Sequence, residues 1–363
     1  MKQQRFFTAG PSQYYHTVPQ HMQNAIKNQV MSISHRGAAF AKIYDEAVHQ
    51  VRTVMEAPDD SYVFFFSSAT EIWERLLENC VEQKASFFVN GVFGERFYWA
   101  GEMLKKDVTK IEASFGETFD FEQTELPDNT ELIGFTHNES SSGVMLNMDR
   151  VYTICERYPE ALIALDVVSS APYTKIDYGR IDAVYFSVQK GFGLPAGLGV
   201  CILSRRAFEK SRILHEKGAM VGTYHSFQQM QTYAEKKQTV ETPNVMNMYL
   251  LGKVIPDIIS DYGNLETFRK QINDRAQMLY DFFDTHTSLR PFVKHLSSRS
   301  ATLAVIETGG ESEQIITMLR ERGIEVGYGY GKWRNEHIRI ANFPAHTTED
   351  ISNLLTAMAE YGR

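Results

Sequence analysis

Ala183-Val184-Tyr185-Phe186-Ser187-Val188-Gln189-Lys190-Gly191-Phe192-Gly193-Leu194-Pro195-Ala196-Gly197 sets an apolar β-run directly before a lysine and a glycine-rich bend. A run of this kind reads as a buried strand, which predicts that Lys190 emerges at its end with little room for hydration. Desolvation disfavours the ammonium form, so the amine is a candidate nucleophile near neutral pH. Such amines form Schiff bases with aldehydes, and pyridoxal 5'-phosphate (PLP) is the common biological case. A second apolar run, Ala161-Leu162-Ile163-Ala164-Leu165, ends on Asp166. An acid at that place can pair with a protonated pyridine nitrogen and keep the ring an electron sink. Lys190 and Asp166 are therefore the candidate catalytic pair.

Outward from these two, short β-rich runs alternate with helical stretches. The expected strands are residues 62–66, 86–90, 108–113, 131–136, 162–167, 183–188 and 200–203. Helical spacing is carried by Ile72, Leu76 and Leu77, and by residues 95–105 and 149–158. This alternation predicts an α/β fold: a mainly parallel mixed sheet covered by helices, with ligands beyond the carboxyl ends of its strands. Lys190, Asp166 and the Thr136-His137-Asn138 turn all fall at such ends. From about Leu250 the pattern changes to a long helix at 265–286, strands near 302–306 and 338–341, and helices near 313–322 and 348–361, the last with Thr347 or Thr348 and Asp350 suited to its start. The expected division is a large domain, residues 1–255 with an N-terminal arm 1–15, and a smaller C-terminal α+β domain, residues 256–363.

Composition bounds the remaining choices. A chain of 363 residues with 43% hydrophobic and 23% charged residues is that of an ordinary globular protein. A net charge of −8 speaks against nucleic acid or an anionic membrane as partner, because both call for a basic face. Cys80, Cys155 and Cys201 form no CxxC pair and read as reduced, buried thiols. No apolar run approaches the roughly 18–20 residues of a membrane span, and no apolar stretch follows Met1-Lys2-Gln3-Gln4-Arg5, so cytoplasmic residence is expected. The histidines show no metal-ligand spacing, and no metal is expected.

Several short motifs suit a phosphorylated pyridine. Ser67-Ser68-Ala69-Thr70-Glu71 follows a strand and opens a helix, where backbone amides and the helix start favour an anion; the same serines suit an ordinary helix cap. Phe93, in Asn90-Gly91-Val92-Phe93-Gly94, offers a flat apolar face, although packing is the commoner fate of a phenylalanine. Ser140, in the hydroxyl-rich Ser140-Ser141-Ser142, offers a hydrogen bond to a phenolic oxygen, or simply turn chemistry. Arg36, in Ser34-His35-Arg36-Gly37, and Arg339, in His337-Ile338-Arg339-Ile340, are candidate grips for carboxylate or phosphate, since a guanidinium binds either bidentately.

With these residues in place, the chain resembles the class V aminotransferases of PLP fold type I, nearest to their phosphoserine aminotransferase branch. The resemblance rests on Gly10-Pro11, Ser34-His35-Arg36-Gly37, Asn138-Glu139 with Gly143, Asp166 through Ser170, Gln189-Lys190, Pro195-Ala196-Gly197, Thr242-Pro243 and Arg339. It implies the PLP-dependent transferase fold type I and PLP carried on Lys190 with Asp166 at the ring nitrogen. Ser68, Ala69, Thr70 and Gln189 would then hold the phosphate, Phe93 would stack where the family usually has tryptophan, and Ser140 would serve the ring oxygen, usually met by threonine. His35, Arg36 and Arg339 would bind substrate. A homodimer with shared active sites is implied, in which Thr242 and its predecessor Glu241 reach the partner's cofactor phosphate. A carboxylate in that place is unfavourable unless it points away or pairs with a cation. The family's basic pair before its last-domain arginine has Lys332 and Arg334 as nearest counterparts.

The reaction implied is amino exchange between glutamate and 3-phosphohydroxypyruvate. Alternatives are a serine–pyruvate or alanine–glyoxylate transaminase on the same scaffold, and a non-catalytic PLP-binding regulator. A cysteine desulfurase ranks below these, since no cysteine follows Cys201.

Overall fold

The structure, a computed structural model, describes residues 4–361. Its larger sheet has seven strands in the order Tyr62–Phe66, Gly199–Leu203, Ala183–Ser187, Leu162–Asp166, Leu132–Thr136, Lys84–Val89, Asp107–Glu112. Gly199–Leu203 runs antiparallel to both neighbours, and the other pairings are parallel. The central strands are buried along their whole length, as continuous Val/Ile/Leu/Phe runs require when helices cover both faces. The sequence-expected strands are all present, with ends shifted by a residue or two, which is the usual reach of hydrophobic patterning.

The register decides what meets at the carboxyl edge. Thr136 lies beside Asp166, and Asp166 beside Tyr185, two residues before the strand ends at Ser187. The reversed strand begins at the same edge, with Gly199 between Phe66 and Ser187.

The second sheet has five strands in the order Arg5–Phe7, Ile324–Tyr328, His337–Ala341, Leu303–Glu307, Arg290–Pro291. Arg5–Phe7 lies parallel to Ile324–Tyr328 although it comes from the start of the chain. The chain then turns back along the lysine loop: the Ser12 amide donates to Gln189 O at 3.2 Å and the Tyr15 amide to Gly193 O at 2.9 Å. The division expected at 255/256 falls within one continuous helix, Val245–Tyr262, which packs along Ala38–Met55. A Cβ at Gly252 would stand 3.1 Å from Glu46 Cγ, a side chain able to give way, and in ordinary contact with the Ala47 amide nitrogen at 3.5 Å. The last helix, Thr348–Met358, is closed at its start by a capping box in which Thr347 and Asp350 bond each other's backbone amides. All three cysteines are free and buried. No helix among the described residues is long and apolar enough to cross a membrane.

Candidate active site

Lys190 and Asp166 meet as the strand ends predict. Lys190 is 7% exposed and Asp166 4%. The lysine Nζ donates to Ser169 Oγ at 2.9 Å and lies 3.4 Å from Ser140 Oγ. Burial holds this amine below its ordinary lysine value, with Asp166 pulling the other way and Arg339 adding to the drop. Burial likewise raises the Asp166 carboxyl, while the Val168 amide, donating to Oδ1 at 2.9 Å, and Lys190 oppose the rise. The site is thus a desolvated amine and a desolvated acid close enough to act on each other's charge. Gly10 makes room for the lysine: a Cβ there would stand 2.6 Å from Lys190 Cε, and its φ of +132° disfavours a side chain in any case.

The surrounding groups are ordered by one residue whose role the sequence did not disclose. Glu139 is fully buried, and its carboxylate accepts hydrogen bonds from the Phe93 amide at 2.9 Å, the Gly94 amide at 3.1 Å, and the amide and hydroxyl of Ser141 at 3.0 and 2.7 Å. An anion at the start of helix Val92–Met103 is favoured by the free amides and dipole there. A single carboxylate so fixes both Phe93 and the turn carrying Ser140. That helix begins at Val92 rather than at residue 95, which places Phe93 in its first turn. The glycine-flanked bend read from the sequence supplies the helix start instead, because Glu139 provides the cap that the local sequence lacks. The Phe93 ring centroid lies 5.3 Å from Lys190 Nζ.

The expected phosphate cradle is the start of helix Ala69–Cys80. Ser68 is its cap, accepting from the Glu71 amide, as the plainer reading of the motif had it. The Ala69 amide donates to Ser187 Oγ at 2.8 Å, binding this helix start to the strand that delivers Lys190. Gln189 is half-buried, with its carbonyl on the Ser12 amide.

Of the two arginines, Arg339 comes to the lysine and Arg36 does not. Arg339 donates from Nε to Tyr328 O at 2.7 Å and from Nη1 to Ser140 O at 3.1 Å. Burial lowers its pKa. Arg36 instead holds the segment 238–240, bonding Gln238 Oε1, Thr239 O and Val240 O, and its guanidinium lies 4.5 Å from the Tyr233 ring centroid. His35 is half-buried, edge-on to Phe40. Lys332 and Arg334 stand over Trp333 and Tyr328 respectively, Arg334 at 3.8 Å from its ring centroid.

Glu241 does pair with a cation. His225 Nε2 lies 3.0 Å from Glu241 Oε2 and His225 Nδ1 lies 2.5 Å from Glu71 Oε1. Thr242, beside it, is exposed. Burial works to lower the His225 pKa, but the two carboxylates outweigh it and raise it to about 9. Burial works to raise Glu71, but its bonds to His225 and Ser67 bring it down to about 2. The two residues flanking His225 in this clasp lie far from it in sequence, and no spacing rule connects them.

A sequence model of the family described as Aminotransferase class-V matches residues 5–333. The chain is 25% identical over 355 residues to a phosphoserine aminotransferase of Rhodococcus opacus, covering 96% of this chain and 92% of that one. It superposes on a phosphoserine aminotransferase from Cytophaga hutchinsonii with a TM-score of 0.97 at 41% identity, covering all of both chains. An alanine–glyoxylate aminotransferase from Nostoc shares the fold, with a TM-score of 0.86 at 22% identity over 100% of this chain and 96% of that one.

Proposed function

We propose a reaction for a chain that belongs to the class-V aminotransferase family: exchange of an amino group between glutamate and 3-phosphohydroxypyruvate, giving 2-oxoglutarate and phosphoserine. The observation that carries the chemistry is the buried Lys190 amine, below its ordinary pKa, facing the buried Asp166. The substrate is supported by the 41% identical relative of that name.

The residues fit PLP on the geometry of this chain. An unhydrated amine stands opposite an acid, with the Phe93 ring 5.3 Å from the amine, a helix start at Ser68–Thr70, and a glycine at position 10 where any Cβ would strike the lysine. When bound, such a cofactor supplies a carbonyl that accepts the amino group and a charged ring that draws off electron density. Lys190 Nζ is then the base that takes the substrate's Cα proton and returns it, within reach of the Ser169 and Ser140 hydroxyls that orient it. Asp166 would hold the ring nitrogen charged. Ser68, Ala69, Thr70 and Gln189 would border the phosphate, Ser140 the phenolic oxygen, and Arg339 the α-carboxylate. His35 and Arg36, on a turn that Arg36 ties to residues 238–240 away from Lys190, would reach substrate across the shared sites of the dimer.

The assembly in this reading is a cytoplasmic homodimer in which Glu241 and Thr242 approach the partner's phosphate. Exposed Tyr14, Ile26 and Met31 near the start of the chain support an apolar contact. The division into residues 1–255 and 256–363 belongs to the same proposal, with Val245–Tyr262 spanning it.

The test is to follow the visible band of the purified protein while adding phosphoserine, glutamate or alanine separately. Phosphoserine and glutamate are expected to discharge the band, and 3-phosphohydroxypyruvate to restore it after glutamate. Preference for alanine over phosphoserine would assign the chain to the small-amino-acid transaminases, and an unchanged band with all three would leave only binding.

A further inference from the structure

Arg96 leaves helix Val92–Met103 one turn beyond Phe93 and donates from Nη2 to Tyr330 Oη at 2.8 Å. Its guanidinium lies 5.8 Å from the Phe93 ring centroid and 5.9 Å from that of Tyr330. The Arg339 guanidinium lies 5.4 Å from the same Tyr330 ring, and the two rings meet edge to face at 5.6 Å. With Lys190 Nζ 5.3 Å from the Phe93 ring centroid, two aromatic rings gather two arginines and the reacting amine. Tyr330 comes from the smaller sheet's side and Phe93 from the larger, so the cluster forms only where the two meet.

The charges are unbalanced. The hydrogen bonds of both arginines go to neutral acceptors: Tyr330 Oη for Arg96, and the carbonyls of Tyr328 and Ser140 for Arg339. Among the described residues no carboxylate pairs with either. The neighbouring Glu95 is engaged by Lys110 at 2.6 Å. An amino acid with one carboxylate needs one guanidinium. Two, gathered on a shared tyrosine close to the reacting amine, match a substrate with an acid at each end.

We propose that Arg96, oriented by Tyr330, binds the distal anionic group of the substrate, the side-chain phosphate or carboxylate, while Arg339 holds the α-carboxylate. The inference rests on the aminotransferase reading and deepens it: the substrate class is amino acids and oxo acids bearing a second acid. It also gives the second cation a place that Lys332 and Arg334, turned onto Trp333 and Tyr328, do not fill. Tyr330 acts through Arg96 and is a positioning residue.

Arg96→Gln, Arg96→Lys and Tyr330→Phe holoenzymes test this through single-turnover kinetics with phosphoserine, glutamate and alanine. In Arg96→Gln the preference for the two acidic substrates over alanine falls at least about tenfold, the scale of one charge-assisted contact at an exposed site. The loss lies in the KM of the acidic substrates. Arg96→Lys recovers part of it, and Tyr330→Phe shows a smaller shift of the same sign. Equal losses on all three substrates, or an unaltered preference, would overturn the inference, because a merely structural latch between the sheets would act on every substrate alike. Should the unsubstituted enzyme ignore phosphoserine but accept glutamate, the reaction proposed above fails, and the glutamate-to-alanine preference still decides the role of Arg96.

Discussion

Replacing His225 with glutamine tests the electrostatics next to the expected phosphate cradle. The imidazole side chain is 3% exposed and touches a carboxylate with each ring nitrogen, so both nitrogens must carry protons to satisfy the two bonds. A pKa raised from 6.5 to about 9 corresponds to about 3 kcal/mol of preference for the charged form in the folded state. Because the folded value lies above the unfolded one, this stabilisation is fully present below pH 6.5 and is lost as pH rises through about 9. Glu71 has the opposite sign: its value is lowered from 4.5 to about 2, so its contribution holds above 4.5 and fades as pH falls toward about 2. Between those limits the variant strands two carboxylates and is expected to lose about 3 kcal/mol. Denaturant unfolding of both proteins in buffers from about pH 6 to about pH 10 should show a gap that is widest at the acid end and closes at the alkaline end. Cofactor affinity should weaken with it, since Glu71 sits in the first turn of the helix assigned to the phosphate. A gap that stays constant with pH would refute the reasoning, as would no gap at the acid end.

Lys190→Ala should abolish transamination and the visible band, measured by absorbance after gel filtration. In the unaltered apoprotein, the rate of cofactor uptake should rise with pH and level off well below the 10.5 of an ordinary lysine, because burial holds the amine's pKa down. Gly10→Ala should retain the fold, as judged by circular dichroism, yet lose bound cofactor, since its methyl would stand 2.6 Å from Lys190 Cε on backbone at φ +132°. Glu139→Gln sets an amide donor against either the Phe93 and Gly94 amides or the Ser141 amide and should cost about 2–3 kcal/mol in denaturant unfolding, with a fall in kcat as the Phe93 and Ser140 supports loosen.

The seven strands of the larger sheet were legible because each is a short apolar run bounded by turns, and parallel strands buried on both faces carry that signature. The lysine and acid followed from them, since a strand's end fixes where the next residue points. Other elements carried no such mark. Val245–Tyr262 is apolar over much of its circumference and holds Pro256 inside, so neither a helical stripe nor an uninterrupted pattern announces it. Arg5–Phe7 is three residues long and gains strand character only from Ile324–Val326. Glu139 read as one residue of a turn, because its four bonds include two to a helix start far along the chain. Arg36 read as a substrate grip from the Ser34-His35-Arg36-Gly37 motif and the resemblance, and no local pattern announced its contacts to residues 238–240. Pairings between distant segments, such as His225 with Glu71 and Glu241, lie beyond any local pattern.

The pairing of Arg5 with Ile324 also bears on how the enzyme is born. As the polypeptide leaves the ribosome, Arg5–Phe7 waits unpartnered until Ile324–Val326, more than 300 residues later, has been made. The loop that follows, drawn along Gln189 and Gly193, is anchored at one end only until then. Nascent chains released early would therefore leave Ile324–Val326 unmade and the lysine loop uncovered, an exposed edge that chaperones or proteases can recognise.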